Sequence, residues 1–372
     1  MKRFVFHVST CGLLGLGLVA MRASVSGREP ANQPSTYTAI AITDASGAAQ
    51  GPRGLNNLGD ILGSPTHSLS DQTGATILGH DGFLVKRPGA LAGGDYSGGS
   101  AINDSGEVAG VANTADAIIP FISTPSRGTQ RIPLLPGDKA GQAFSINQFG
   151  NVVGYSSGPS GIRAFLWMRG SGAVQNLGTL PGGSASKARD INDSNMVVGT
   201  VRSASGDRAV LWTKVGNVRD LGTLPGDTSS EATAINNAGD VVGYSNGPQG
   251  NRAFLWTKTT GMQNLGVLPG GNFSRALHIN DDGVVVGAST SSSGDRAFLW
   301  RRGVGMRDLN EAVSNDVGAV FIEAHAINNK GQILVMGMTR DDPNTSANAR
   351  SDNICAPAPE ATYLLVPNSP SS

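Results

Sequence analysis

The chain has 372 residues, of which 39% are hydrophobic and 15% are charged. Lysine plus arginine and aspartate plus glutamate balance at 28 each, so no basic surface for a phosphate backbone or an anionic lipid headgroup is expected. These values argue against a nucleic-acid partner. The 52 glycines indicate many tight turns.

The N-terminus predicts export. Lys2 and Arg3 form a short positive head, an apolar stretch runs from Phe4 to Ala20, and small residues follow. This order is typical of a secretory signal peptide, which we assign to residues 1–26. A retained membrane anchor is the alternative, although the stretch is short for a bilayer span. We expect an extracellular or cell-surface protein, or a periplasmic one, with no membrane span after signal removal.

The cysteines predict a domain held together by packing. Cys11 lies in the signal peptide, so Cys355 is left alone and cannot form an internal disulfide.

A repeat of about 44 residues runs through the remaining chain. An asparagine that follows an aliphatic residue recurs at spacings of 47, 44, 45, 44, 44 and 48 residues. These residues are Asn56, Asn103, Asn147, Asn192, Asn236, Asn280 and Asn328. Glycine stands three positions after each one except Asn192, where Asn195 takes its place. Because asparagine tolerates the left-handed conformation best after glycine, each copy predicts a tight turn with positive φ at this position.

Two further motifs keep the same register. Leu-Pro-Gly turns place a proline eleven residues before four of the asparagines, at Pro136, Pro181, Pro225 and Pro269. The four tryptophans end Ala-Phe-Leu-Trp or Ala-Val-Leu-Trp segments, at Trp167, Trp212, Trp256 and Trp300. We assign weaker counterparts upstream to Phe83–Leu84 and Phe121–Ile122, and a seventh copy near the C-terminus to Tyr363–Leu365.

Each repeat contains four strand signals and no helical periodicity. Around Asn280 they are Gly261–Leu265, Ser274–Ile279, Val284–Ala288 and Arg296–Trp300. Both faces of these strands are apolar, so each sheet must be covered on both faces. Sheets stacked around an axis meet this need, and we predict an all-β fold, a β-propeller of four-stranded blades, with seven blades. An open β-solenoid of the same repeats is the alternative.

The domain boundaries follow from the repeats. The propeller domain spans residues 37–367, after a linker at residues 27–36. A polar insertion at residues 341–358 precedes the last strand, and residues 368–372 form a disordered tail.

The repeat resembles that of the bacterial extracellular repeat proteins of the HAF family. The residues that carry the resemblance are Arg163–Trp167, Arg252–Trp256 and Arg296–Trp300, with Asn176–Gly183 and Ala234–Gly243. The resemblance covers Tyr37 to about Val366 and implies an exported bacterial protein without a stated activity. Arginine replaces the histidine of the family's His-Ala-Phe motif in every clear copy.

No catalytic, cofactor-binding or metal-binding residues are assigned from the sequence. The histidines His7, His67, His80, His278 and His325 have no metal-ligand spacing. Gly-x-Ser-x-Gly occurs at Gly154–Gly158 and Gly243–Gly247, but both copies hold one repeat position and neither is followed by a helix, so we interpret them as strand ends. Runs such as Asn103–Glu107 could be calcium loops, although a turn is the better interpretation.

Arginines recur just before the apolar strand, at Arg163, Arg208, Arg252 and Arg296. They could bind carboxylate or sulfate groups of a glycan, but local pairing with Asp207 and Asp295 is favoured. Loops such as Ser245–Asn251 and Ser289–Gly294 are expected to share a face with the Leu-Pro-Gly turns. That face is the candidate binding surface.

The leading functional prediction is a secreted, non-catalytic module, a monomer that binds a surface glycan or a protein through this loop face. The alternative is a propeller-type hydrolase or lyase acting on extracellular polysaccharide. A cluster of His, Asp, Glu or Tyr converging at the hub would favour the enzyme, and a shallow loop face without one would favour the module. An architectural spacer would have no pocket and an open chain.

Overall fold

The computed structural model describes residues 36–43, 50–65, 76–79, 84–86, 88–340 and 361–368. The predicted signal peptide, almost all of the linker and of the C-terminal tail, the insertion at residues 341–358 and both cysteines lie outside the described residues. The described residues form seven four-stranded antiparallel sheets, which are the blades of a β-propeller. The fold predicted from the sequence is confirmed, and the open solenoid is wrong.

Six blades follow one another along the chain. In each blade the strands are given from the innermost outwards. Blade 1 has β2 (Gln50–Leu55), β3 (Ile61–Pro65), β4 (Thr76–Leu78) and β5 (Leu84–Lys86), and blade 2 has β6 (Ser97–Ile102), β7 (Val108–Asn113), β8 (Ile118–Thr124) and β9 (Gly128–Arg131). Blade 3 has β10 (Ala140–Ile146), β11 (Val152–Gly158), β12 (Gly161–Met168) and β13 (Ala173–Asn176), and blade 4 has β14 (Ala185–Ile191), β15 (Val197–Ser203), β16 (Gly206–Lys214) and β17 (Asn217–Asp220). Blade 5 has β18 (Ser229–Ile235), β19 (Val241–Gly247), β20 (Gly250–Thr257) and β21 (Gly261–Gly266), and blade 6 has β22 (Ser274–Ile279), β23 (Val285–Ser291), β24 (Gly294–Arg301) and β25 (Gly305–Asp308).

The last blade joins the two ends of the described chain. Blade 7 consists of β26 (Ala319–Ile327), β27 (Ile333–Thr339), β28 (Ala361–Pro367) and, outermost, β1 (Tyr37–Ile42). β1 pairs with β28 in antiparallel register from Tyr37 opposite Pro367 to Ile42 opposite Thr362. A single turn of 3-10 helix, Leu309–Ala312, precedes this blade. The sequence repeat, which opens on an outermost strand, is therefore offset by one strand from the blade.

The turn after each innermost strand has the predicted backbone. Asn195 has a φ of 58°, and the glycines at the equivalent position have φ between 67° and 103°. The preceding asparagine folds the turn with its side chain: Asn103 Oδ1 accepts hydrogen bonds from the backbone N–H groups of Ser105 and Glu107. These bonds support the turn interpretation of Asn103–Glu107.

The same asparagines link the blades into a ring. Nδ2 of each one donates a hydrogen bond of 2.9–3.2 Å to the backbone carbonyl of the next, and Asn328 closes the circle by donating to Asn56. We call these seven residues the asparagine ring. Because the amides are buried, each blade depends on its neighbour for a polar partner.

A second ring follows one position later. The backbone N–H of each residue donates to a side-chain oxygen of its counterpart in the next blade, at 2.7–3.0 Å. Its members are Asn57, Asp104, Gln148, Asp193, Asn237, Asp281 and Asn329.

Apolar layers between the blades form the core. Trp212 of blade 4 is fully buried against Leu166 and Val153 of blade 3. Ile42 and Leu364 of blade 7 pack with Ile61 of blade 1, so an apolar layer also lies at the closing interface. The tryptophans lie between adjoining sheets as predicted, because the third strand that carries each one has apolar residues on both faces.

One assignment of the strand motif is wrong. Phe83 lies outside the described residues, and Leu84 opens the outermost strand of blade 1. Ile77 and Leu78 occupy the apolar third-strand position instead, opposite Leu62 and Ile61. Blade 1 fills this position with aliphatic side chains, which the aromatic motif could not identify. Phe121 and Tyr363 do occupy the predicted position in their blades.

Within the part of the chain that the structure covers, no helix has the length and apolar character needed to cross a bilayer.

The asparagine ring predicts a stability effect. Asn236→Ala removes the donor to the Asn280 carbonyl and the acceptor for the Asp240 N–H. We expect the free energy of unfolding to fall by about 2–4 kcal/mol, because two buried partners lose a hydrogen bond. Chemical denaturation of the full chain measures this value. Asn217→Ala, at an exposed asparagine, is the control and should change it by less than about 0.5 kcal/mol. Equal effects of both changes would contradict the role of the ring.

Candidate functional site

Every innermost strand carries a β-bulge at the same place. The register with the second strand skips the residue three positions before the ring asparagine in all seven blades. A bulge redirects side chains locally and is frequent next to active sites. The skipped residues are Arg53, Ser100, Phe144, Arg189, Thr233, Leu277 and His325.

A cavity of about 290 Å³ lies at the centre of the ring, lined by the innermost strands of all seven blades. We call it the hub cavity. Six of the skipped residues line it, and so do Ser145, Asp190 and His278 from the next position along their strands. The bulge therefore brings two consecutive side chains of one strand to the hub, where a regular strand would bring one.

The first group of ionisable residues in the hub centres on His325. Its Nε2 lies 3.1 Å from Glu323 Oε1 without forming a hydrogen bond. Glu323 is bound by the guanidinium of Arg275 from blade 6. Arg53 of blade 1 is close enough to act on the charge of His325 and forms no ion pair among the described residues. An imidazole, a carboxylate and two guanidinium groups from three blades thus converge.

The second group centres on Asp190 of blade 4. Its Oδ1 accepts hydrogen bonds from the Ser145 hydroxyl at 2.6 Å and from its neighbour's N–H, that of Ile191, at 2.9 Å. Its Oδ2 accepts from the Ile235 N–H at 2.9 Å. Both carboxylate oxygens are therefore occupied, and Asp190 connects blades 3, 4 and 5. The carboxylate acts on the charge of His278, whose Nδ1 is buried without a partner among the described residues.

Burial favours the neutral form of both imidazoles. Desolvation lowers the pKa of His278 below its ordinary value, although the charge of Asp190 and a hydrogen bond with the backbone of Ile327 oppose this. Desolvation also lowers the pKa of His325; Glu323 opposes the shift, and Arg275 and Arg53 add to it. A neutral imidazole at neutral pH accepts a proton, so the hub holds two candidate general bases beside guanidinium groups that bind carboxylates.

A polar band lies on the loop-face side of these groups. The residue five positions before the ring asparagine is long and polar in blades 3 to 7 and glycine in blades 1 and 2. The members of the band are Gln142, Lys187, Glu231, Arg275 and Glu323, with Gly51 and Gly98 in the first two blades. The side chains at the hub therefore differ from blade to blade although the strands are alike.

The Gly-x-Ser-x-Gly segments are strand ends, as interpreted from the sequence. Both lie in second strands, β11 and β19, and their serines are fully buried. Ser156 accepts from the Leu135 N–H, and Ser245 accepts from the Leu224 N–H. Neither serine is placed as a nucleophile.

The recurring arginines pair locally, but not with the aspartates predicted. Arg163 lies 2.7 Å from Asp138, Arg208 lies 3.8 Å from Asp220, and Arg296 lies 3.5 Å from Asp308. Arg252 pairs with Asp227. The carboxylates of Asp138 and Asp227 are 1% exposed. Arg163 and Arg252 therefore neutralise buried carboxylates of Leu-Pro-Gly-Asp turns. Arg208 and Arg296 instead lie near more exposed aspartates at the ends of the outermost strands.

The loop face is assembled as expected from the sequence. The Ser292 N–H at the tip of one hairpin donates to the carbonyl of Pro269 in a Leu-Pro-Gly turn. The asparagine ring lies at the opposite end of the innermost strands, since these strands run from one face to the other.

The hub histidines were missed as functional residues by the sequence analysis, which looked for metal-ligand spacing. His278 stands two positions before Asn280, and His325 stands three positions before Asn328. A comparison of the residues at these two positions across all seven repeats would have identified the side chains that line the hub. His7, His67 and His80 lie outside the described residues.

No protein-family model matches the sequence, and comparison with curated proteins gives no match. Among solved structures, an oligogalacturonate lyase in complex with manganese matches with a TM-score of 0.55 and 11% identity, over 90% of this chain and 97% of the lyase. The β-propeller domain of the trilobed protease from Pyrococcus furiosus has a TM-score of 0.50 and 10% identity, over 82% and 91%. TolB from Acinetobacter baumannii has a TM-score of 0.42 and 12% identity, over 70% of this chain and 63% of TolB.

The prediction of a non-catalytic binding module is corrected by these findings. The propellers that match include a lyase aligned over nearly its whole length, and the hub is lined by His and Asp residues, with Glu323 beside His325, as was expected of an enzyme. The alternative prediction, a propeller enzyme, is the better supported of the two. At 11% identity the likeness shows the fold alone, so the reaction has to be argued from the residues of this chain.

The manganese of the lyase complex has no matching ligand set in the described part of this chain. No group of three or more His, Cys, Asp or Glu residues there is placed to hold a metal ion.

The electrostatics of the hub predict a titration behaviour. We expect His278 to titrate below the ordinary histidine pKa of about 6.5 and Asp190→Asn to lower its pKa further, because the Asp190 charge favours the imidazolium. Histidine side-chain NMR spectra recorded against pH measure the value, with His278→Gln to assign the signal. Asp104→Asn, the same change in the second ring, should leave it unchanged. A pKa above 6.5, or a rise in Asp190→Asn, would contradict the assignment.

Proposed function

We propose that the protein is a propeller lyase that cleaves a uronate-containing polysaccharide outside the cell by β-elimination in the hub cavity. The observation that carries the proposal is the convergence of neutral His325 with the guanidinium of Arg53 and the Arg275–Glu323 pair. The export predicted from residues 1–26 would bring the enzyme to such a substrate. The fold match to an oligogalacturonate lyase is consistent with it.

The reaction needs a base and a cation. In a uronate residue the proton on C5 lies next to the carboxylate, and a cation on that carboxylate stabilises the negative charge that develops when the proton leaves. His325 takes the proton, C4 and C5 form a double bond, and the bond from C4 to the glycosidic oxygen breaks. The leaving oxygen takes up a proton, so the reaction needs no oxidant and consumes no water.

Arg53 is assigned to the substrate carboxylate. It is exposed and forms no ion pair among the described residues, whereas Arg275 is already paired with Glu323. A planar guanidinium binds a carboxylate through two parallel hydrogen bonds, which fixes the sugar relative to the base.

The hydrolase half of the alternative is less well supported. Glycoside hydrolysis requires two available carboxyl groups on either side of the scissile bond. Near the hub, both oxygens of Asp190 accept hydrogen bonds, and Glu323 is bound by Arg275. The other carboxylates that line the cavity, those of Asp104, Asp193 and Asp281, accept hydrogen bonds within the second ring through both oxygens. The available groups are imidazole and guanidinium, which suit elimination.

The substrate test uses the full chain with polygalacturonate and alginate. We expect a product with the ultraviolet absorbance of a double bond conjugated to a carboxylate. New reducing ends without this absorbance would indicate hydrolysis, and no cleavage of any uronate polymer would contradict the proposal.

Two substitutions test the assigned roles. His325→Gln should lower kcat by at least about 100-fold, because the general base is removed. Arg53→Gln should lower kcat/KM by a similar factor, because the carboxylate loses its counter-charge. Arg131→Gln, at an exposed arginine in β9 away from the hub, is the control and should leave both values unchanged. Full activity of His325→Gln in a folded protein would remove His325 from the mechanism.

The pH profile has a predicted sign. His325 must be neutral to act as a base, and its pKa is lowered, so kcat/KM should fall only as the pH drops below about 6.5. Because Glu323 raises the pKa of His325, Glu323→Gln should move this acid limb to lower pH. Kinetics with a uronate substrate from pH 4 to 8 provide the measurement. An acid limb above the ordinary histidine value would point to another base.

A further inference from the structure

A second cluster of chemically active side chains lies across the hub, at blades 3 and 4. Phe144 is the bulge residue of β10 and lines the hub cavity. Its ring centroid lies 5.6 Å from that of Tyr155 in the neighbouring strand β11, at an interplanar angle of 41°. The two rings form a continuous aromatic surface that is only partly buried.

Two cations from blade 4 cover this surface. The Arg189 guanidinium carbon lies 4.9 Å from the centroid of Phe144, and Lys187 Nζ lies 5.6 Å from the centroid of Tyr155. Arg189 also lies 3.9 Å from Glu231 and keeps 38% of its side chain exposed. Lys187 forms no ion pair within the described ranges. We call Phe144, Tyr155, Lys187 and Arg189 the aromatic–cationic wall.

A small recess continues the wall away from the hub. It has a volume of about 110 Å³, and its charged and polar lining includes Lys187, Arg189, Arg202 and Thr200 together with the carboxylates Asp207 and Glu231. Arg189 also lines the hub cavity, so the recess and the hub adjoin. The Thr200 hydroxyl is buried and has no hydrogen-bond partner among the described residues. A buried hydroxyl without a partner is costly unless a ligand or water satisfies it.

We propose that the aromatic–cationic wall is a second sugar subsite, which binds a further uronate residue of the polysaccharide that is cleaved at His325. The proposal rests on the proposed function for the identity of the polymer. The aromatic faces match the apolar C–H face of a sugar ring, the cations match its carboxylate, and the Thr200 hydroxyl matches a ring hydroxyl. Blades 1 and 2 have glycine at the position of Lys187 and so offer no equivalent cation.

The subsite makes the enzyme selective for longer chains. A substrate that reaches only the His325 group gains nothing from the wall, whereas a longer oligomer gains the binding energy of a second acidic sugar. The wall should therefore raise kcat/KM for a tetramer relative to a dimer, because remote binding energy lowers the barrier only for substrates that reach it.

Binding is measured separately from cleavage. In the full chain carrying His325→Gln, titration calorimetry with saturated tetragalacturonate should show about tenfold weaker binding for Phe144→Ala and for Lys187→Met. Phe149→Ala and Lys214→Met are the matched controls, at exposed residues away from the wall, and should bind as the parent does. The carboxyl-reduced tetramer should bind weakly to all variants. Equal binding of the reduced and acidic tetramers, or unchanged affinity in both wall variants, would overturn the subsite.

Turnover provides the second readout. Without the His325 change, Phe144→Ala and Lys187→Met should lower kcat/KM for the tetramer and leave the dimer unaffected. If the unsubstituted protein cleaves no uronate substrate, the proposed function fails, whereas the calorimetry still tests whether the wall binds the tetramer. If cleavage occurs and the wall variants keep the preference for the tetramer, the subsite fails and the rings serve only to pack blade 3 against blade 4.

Discussion

One asparagine side chain in each repeat has two structural roles, and the closed ring of blades depends on both. Its Oδ1 folds the turn of its own blade, and its Nδ2 reaches the backbone of the next blade. The donors all point the same way round the circle, so the link from the seventh copy ends on the first. An open array would lose this hydrogen bond and would expose the apolar face of each terminal blade to water. The repeat therefore favours a closed ring.

The positions that build the ring must be alike in every blade, so the side chains can differ only at positions outside those contacts. Hydrogen bonds and apolar layers between blades hold the strand ends and faces, whereas the bulge residue and its neighbours contact the hub. In blade 4 these positions hold Arg189 and Asp190, and in blade 7 His325 takes the bulge position. Equivalent backbones thus present different side chains to one cavity. A symmetric scaffold thereby supports an asymmetric site, with bases on one side and the aromatic–cationic wall on the other.

The sequence predicts a structural feature well when the residues that cause it recur in every repeat. The turn at Asn195, the apolar strands and the tryptophan positions recur, and their physical requirements predict seven blades. The hub does not recur. His278 and His325 are 47 residues apart in sequence and line one cavity because their blades are neighbours, whereas Arg53 comes near His325 only because the ring closes. A residue that occurs in only one repeat does not belong to the repeat pattern, so the pattern did not reveal these histidines. The Asp138 partner of Arg163 was missed for a related reason: it comes from the preceding turn.

The overall neutrality of the chain also concealed the character of the hub. Several charges around the cavity are paired: Arg275 binds Glu323, and Arg189 lies near Glu231. Arg53 and Lys187 remain without an ion pair among the described residues, and they lie in different blades. A low-dielectric cavity strengthens the attraction of such charges for an anion, whereas exposed charges elsewhere are screened by salt. Two unpaired cations, one in the hub cavity and one in the adjoining recess, favour a ligand with carboxylates spaced along a chain, which is how a uronate polymer presents its charge.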